Sequence, residues 1–181
     1  MSPTSEYDAV VVGAGPAGAT AAARLADAGL QVALIDRSAP PRDKPCGGGL
    51  SPKAYRLLEV DVSDLVMARP RSVVLSAPRS RSVSLESRAG EIWMVQRAAF
   101  DQRLVEHAQT RGATLLAGPV VRRVIPGSGG SPATVETDRG LIRAGAVVGA
   151  DGADSVVARG AGLRPRRDRE YVLALEAEGP R

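Results

Sequence analysis

Four consecutive apolar residues, Ala9 to Val12, stand between Asp8 and Gly13. A run this short, bounded by turn signals, predicts a strand buried on both faces. Then comes "PAGATAAARLADAG", Pro16 to Gly29, which predicts an alanine-rich helix closed by Gly29 as its C-terminal cap. "QVALID", residues 31–36, predicts a second buried strand. Strand, helix and strand together make a βαβ unit, which is almost always right-handed with parallel strands. Pro40 to Pro52 reads as loop and Pro52 to Leu58 as a short helix. Arg71 to Leu85 alternates apolar and polar residues, as in an antiparallel strand pair. From Ala98 to Thr110, Phe100, Leu104, Val105 and Ala108 fall on one face of an amphipathic helix. The strands "ATLLAG" and "VVRRVI" follow, then a turn over 126–132. "ATVETD" pairs with "LIRA" around Arg139-Gly140, "AVVGADG" is a further buried strand, and a short helix is expected from Asp154.

The composition bounds the class. The chain has 181 residues, 44% hydrophobic and 24% charged, enough for one well-buried core and a piece of a second. Its net charge is +4 and its positive charge almost all arginine, which permits an anionic ligand. Aromatic residues are 3% of the chain and no basic block is interleaved with them, so no nucleic-acid partner is expected. One cysteine, Cys46, excludes an internal disulfide and a cysteine-based metal cluster, and no metal is expected. The N-terminus does not resemble a signal peptide, and the apolar stretch from Ala9 to Ile35 is too interrupted to span a membrane. A cytoplasmic setting is expected. His107, the only histidine, has no nearby partner in the sequence and reads as structural.

The glycine turn carries chemistry. "GAGPAG" places Gly13, Gly15 and Gly18 in the G-x-G-x-x-G spacing, with Ala17 inside it. Gly13 permits the tight turn, Gly15 lets a pyrophosphate reach the backbone, and Gly18 lets helix and strand pack closely. The helix N-terminus offers N–H groups and the positive end of its dipole to phosphates. Asp36, ending the second strand, stands where a carboxylate would accept hydrogen bonds from an adenosine ribose. Arg37 is read either as a ribose or phosphate contact or as a solvated side chain. Three consecutive glycines, Gly47 to Gly49, cost backbone entropy and so call for a reason, such as close approach of a flat or anionic ligand.

"DAVVVGAGPAGATAAARLADAGLQVALIDR", "KPCGGGLSPKA", "RAAFDQRLVEHAQTRGA" and "VVGADGADSVVAR" occur in this order. Together they look like the FAD-binding part of the geranylgeranyl reductase family, within the wider class of aromatic hydroxylases. The resemblance implies an α/β, Rossmann-like FAD-binding domain with a parallel sheet and a small antiparallel fragment of a substrate domain. Residues 1–70 and 96–162 would be its two parts, 71–95 strands of the substrate domain, and 163–181 the start of that domain, truncated. It also implies that Cys46, Gly47 and Gly49 lie along the flavin, and that Arg97 reaches the ribityl or phosphate region. Val121 would hold adenine through its backbone. Asp151 and Gly152 would close on the pyrophosphate, although Asp151 or Asp154 could equally cap the following helix. No catalytic residue is assigned; Cys46 is the one candidate, and a lone cysteine is more often a small hydrophobe than a reactive thiol.

The activity implied is prenyl reduction, with hydride passing from reduced FAD to an isoprenoid double bond and NADPH or ferredoxin as electron donor. An FAD-dependent hydroxylase or halogenase is the alternative, and a non-catalytic FAD-binding remnant or subunit another. The implied substrate is an isoprenoid or other hydrophobic small molecule, with peripheral contact at a membrane surface. Relatives continue beyond Arg181, so the chain is expected to be a fragment or to be completed by another polypeptide. "EYVLALEAEG", residues 170–179, is expected to be a strand entering the substrate domain.

Overall fold

The computed structural model describes residues 5–88 and 90–163. In chain order the elements are β1 (Ser5–Val12), α1 (Pro16–Asp27), β2 (Val32–Asp36), β3 (Gly49–Leu50) and α2 (Pro52–Tyr55). A 3-10 turn (Ser63–Leu65), β4 (Val66–Ala68), β5 (Ser72–Leu75), β6 (Val83–Glu86) and β7 (Trp93–Val95) follow. The rest are α3 (Arg97–Thr110), β8 (Thr114–Ala117), β9 (Val121–Ile125), β10 (Ala133–Thr137), β11 (Gly140–Gly149) and α4 (Val156–Gly160). They fall into two compact units, the chain dividing after Arg42 and after Phe100. The segment expected as a strand at 170–179 lies outside the described residues.

The first unit is built on a six-stranded sheet in the order β8-β2-β1-β11-β10-β9. β8, β2, β1 and β11 run parallel, and β10 and β9 add an antiparallel pair. Val10, Val11, Leu34 and Ile35 are at most 1% exposed, because a central parallel strand has both faces covered. Burying each contributes about 1.5–3 kcal/mol. Val10, Val12, Ala33 and Ile35 form one apolar cluster with Val124, Val135, Ile142 and Val157, the last from α4. On α1 the buried residues are Gly18, Ala19, Ala22, Ala23 and Ala26, a stripe at helical spacing whose small side chains let the helix lie close on β1 and β2. Gly29, at φ +86°, follows the C-terminal cap as its left-handed residue.

Two expectations are corrected here. "LIRA" and "AVVG" are not separate strands but one ten-residue strand, β11, antiparallel to β10 at its start and parallel to β1 along its length. Nor is its second half wholly buried: Ala146 and Gly149 are exposed and Val147 and Val148 half-buried. The expected face of α3 is buried as read, with Phe100, Leu104, Val105 and Ala108 all at 3% exposure or less.

The second unit holds a three-stranded antiparallel sheet, β3-β7-β4, and the two-stranded hairpin β5-β6. In the hairpin Val73 faces Leu85 and Leu75 faces Val83, and all four are exposed. Tyr55 stacks on Trp93 with ring centroids 4.2 Å apart, and the Arg69 guanidinium lies 5.1 Å from the centre of the Trp93 ring.

Candidate functional site

The carboxyl ends of the parallel strands carry Gly13, Asp36 and Asp151, since β1 ends at Val12, β2 at Asp36 and β11 at Gly149. β2 lies on one side of β1 and β11 on the other, so the chain order switches direction at β1. In open α/β sheets ligands bind outside the strand ends at such a switch point. Gly13, at φ +102°, begins the turn after β1 and donates its N–H to the Ile35 carbonyl at 2.7 Å. A Cβ on Gly13 would collide with the carbonyl of Ala150, and one on Gly18 with the carbonyl oxygen of Gly13. The glycines therefore let the turn, α1 and the end of β11 close on one another. Gly15 is the N-cap of α1 in extended conformation, with no side-chain cap and Pro16 at the first helical position. Gly15 offers no side chain to the first N–H groups of α1, those of Ala17 and Gly18 among them.

Asp36 ends β2 with both carboxylate oxygens engaged. Oδ2 accepts from the Ala14 N–H at 2.8 Å, inside the glycine turn, and Oδ1 from the Ser38 N–H at 3.0 Å. An ionised carboxylate has about four acceptor positions, so capacity remains for a ribose hydroxyl. One guanidinium nitrogen of Arg42 lies 3.6 Å from Asp36 Oδ2 and 3.4 Å from Asp101 Oδ2. Sequence reasoning missed both Arg42 and Asp101. The sign was present: Asp101 sits on the apolar stripe of α3, between Phe100 and Leu104, where a charge needs a partner. Arg37, by contrast, is exposed.

At the end of β11 the Asp151 carboxylate accepts from the Val156 N–H at 2.6 Å, the Val157 N–H at 3.3 Å and the Ser155 hydroxyl. It therefore caps the start of α4. Gly152, at φ +82°, makes the turn between them. Val121 opens β9, pairs with Thr137 and packs on the apolar cluster.

In the second unit Cys46 is exposed and forms no disulfide. Gly47 has open space where a side chain would project, and Gly49 only ordinary contacts with Ile92 and Met94. The glycine that the fold itself requires is Gly48: it takes φ +68°, and a Cβ there would collide with the Val95 carbonyl oxygen. Its own carbonyl accepts from the Val95 N–H at 3.0 Å. Arg97 is half-buried at the first position of α3. A cavity of about 340 Å³, lined by Tyr55, Val62 and Trp93 among others, includes none of the predicted site residues. His107 is half-buried on α3, its Nε2 buried with no hydrogen-bond partner among the described residues. Among the described residues no cluster of metal-ligating side chains occurs, and no helix is long and apolar enough to cross a membrane.

Two features of the first unit suit an oxygen-rich dinucleotide. The glycine turn and the uncapped start of α1 leave backbone N–H groups for phosphate oxygens. Beside Asp36, Arg42 Nε is a buried donor with no partner among the described residues. This sheet, turn and acid define a dinucleotide-binding domain of the Rossmann type. The FAD binding domain family matches residues 6–176, and the chain belongs to that family. It is 40% identical to the geranylgeranyl diphosphate reductase of Rhodobacter capsulatus, over 84% of this chain and 39% of that protein. It is 33% identical to the menaquinone reductase of Mycobacterium tuberculosis, over 97% of this chain and 45% of that one. Among solved structures it resembles a geranylgeranyl bacteriochlorophyll reductase-like protein from Thermoplasma acidophilum, with a TM-score of 0.73 and 27% identity, covering 90% of this chain and 43% of the other. The chain thus spans less than half the length of these relatives.

Proposed function

We propose that this chain is the FAD-binding part of a flavin-dependent reductase acting on the double bonds of an isoprenoid chain. The observation that carries the reading is 40% identity to a geranylgeranyl diphosphate reductase across most of the chain, joined to a cradle suited to FAD. Gly13, Gly15, Ala17 and Gly18 would meet the pyrophosphate through the backbone, and Asp36 the adenosine ribose. Arg37, Cys46, Gly47, Gly49, Arg97, the Val121 backbone and the Asp151-Gly152 turn complete the proposed set. When bound, FAD supplies hydride chemistry, while the protein supplies orientation and electrostatics. The proposed electron donor is NADPH or a ferredoxin. Strands β5 and β6 belong to the substrate side in this reading, and further chain, whether the same polypeptide or another, completes the pocket. Access to a lipid substrate brings the protein to a membrane surface.

The test uses protein that carries this chain together with the further portion found in its relatives. It is loaded with FAD, reduced without oxygen and mixed with geranylgeranyl diphosphate. Flavin reoxidation with gain of two hydrogens per double bond supports the proposal. Reduced flavin stable to the isoprenoid, but reoxidised by oxygen with hydroxylation or halogenation of an added aromatic compound, would replace it with the oxygen-activating alternative.

A further inference from the structure

Asp101 is 1% exposed and is the buried charged side chain among the described residues. A carboxylate withdrawn from water needs a paired cation, and Arg42, at 3.4 Å, is one such partner. The same Arg42 nitrogen reaches Asp36 at 3.6 Å, and Asp36 holds the Ala14 N–H of the glycine turn at 2.8 Å. A continuous line therefore runs from α3 through Asp101, Arg42 and Asp36 to the phosphate-binding turn. Arg42 lies in the loop after β2, on a long side chain with many rotamers. Its side chain is only 14% exposed, and its guanidinium stands beside a carboxylate fixed on a packed helix.

We infer that Asp101 is a positioning residue for the adenosine end of the cofactor: it holds Arg42 beside Asp36 and so fixes the carboxylate that meets the ribose. Without Asp101 the guanidinium loses its ion pair to α3. Asp36 then loses the cation that offsets its charge, and its carboxylate is freer to turn away from Ala14. Preorganisation of this kind is what a supporting residue contributes to a binding site. The inference rests on the reading of Asp36 as the ribose acid.

The experiment is calorimetric titration of ADP, the adenosine half of the cofactor, into the 181-residue chain. Wild type, Asp101→Asn, Asp36→Ala and the double variant are compared, with circular dichroism to verify folding. Asp101→Asn should weaken ADP by about tenfold, within the range for coupled neighbours, and should have no further effect once Asp36 is alanine. A merely structural role would weaken both backgrounds alike. If Asp36→Ala weakens ADP while Asp101→Asn has no effect, or the same effect in both backgrounds, this inference fails and the ribose reading stands. If Asp36→Ala leaves ADP binding unchanged, the ribose reading and this inference fall together. Should Asp101→Asn not fold, Arg42→Met/Asp101→Leu removes both charges together, a change buried pairs often tolerate. It should show a similar loss, and wild-type ADP affinity in that variant would overturn the inference.

Discussion

Gly18 rests so closely against the carbonyl oxygen of Gly13 that no Cβ fits between them. Replacing glycine by alanine inside a helix ordinarily stabilises by about 0.5–1 kcal/mol. Here the sign should reverse, since overpacking against rigid backbone costs about 1–3 kcal/mol. We expect Gly18→Ala to lower the thermal midpoint and to weaken ADP. An unchanged or raised midpoint would show that the turn can yield.

Asp151 satisfies the start of α4, and Ser155 assists by accepting from the Ala158 N–H at 2.9 Å. Loss of such a cap costs about 0.5–2 kcal/mol. Asp151→Ala should destabilise by that amount and speed hydrogen exchange at the Val156 and Val157 amides. Exchange rates matching wild type would remove Asp151 from the capping role.

Arg97 and Arg103 lie on the same helix and are both half-buried. If Arg97 reaches the cofactor, Arg97→Ala should lose flavin during gel filtration while Arg103→Ala retains it. Equal retention would dismiss Arg97 as a cofactor residue.

Cys46 is exposed and is the only thiol, so its alkylation can be followed without ambiguity. FAD should slow that alkylation several-fold, and Cys46→Ser should still bind flavin. Alkylation at the same rate with saturating FAD would place the loop away from the cofactor.

The legible parts of this protein were those written locally. β1, α1 and β2 follow from two short apolar runs, a glycine turn and an alanine-rich stripe, each decided within a few residues. β11 was misread because it carries two periodicities in succession. Where it pairs with β10, buried Ile142 and Ala144 alternate with exposed Leu141 and Arg143; past Gly145 it reads as a plain apolar run. Asp101 on an apolar stripe signalled that a partner was needed, but the Asp36–Arg42–Asp101 line was not legible, because its members come from three segments that only the fold brings together. Gly48 could not be told from Gly47 and Gly49, since the difference is which of them meets the Val95 carbonyl.

The place of β1 between β2 and β11 also governs how the chain reaches its folded state. β9, β10 and β11 form a meander whose partners are near in sequence, while β1 pairs with β11 across almost the whole described chain. Contacts of such separation close late, because loop entropy must be overcome before they form. On a ribosome β1 emerges first and waits longest, an apolar strand with one edge open until β11 arrives. Refolding followed by pulsed hydrogen exchange should show amides between β9 and β10 protected before those joining β1 to β11. The central strand of the nucleotide site would then be the last to be enclosed, and the cradle would take shape only as the sheet is completed.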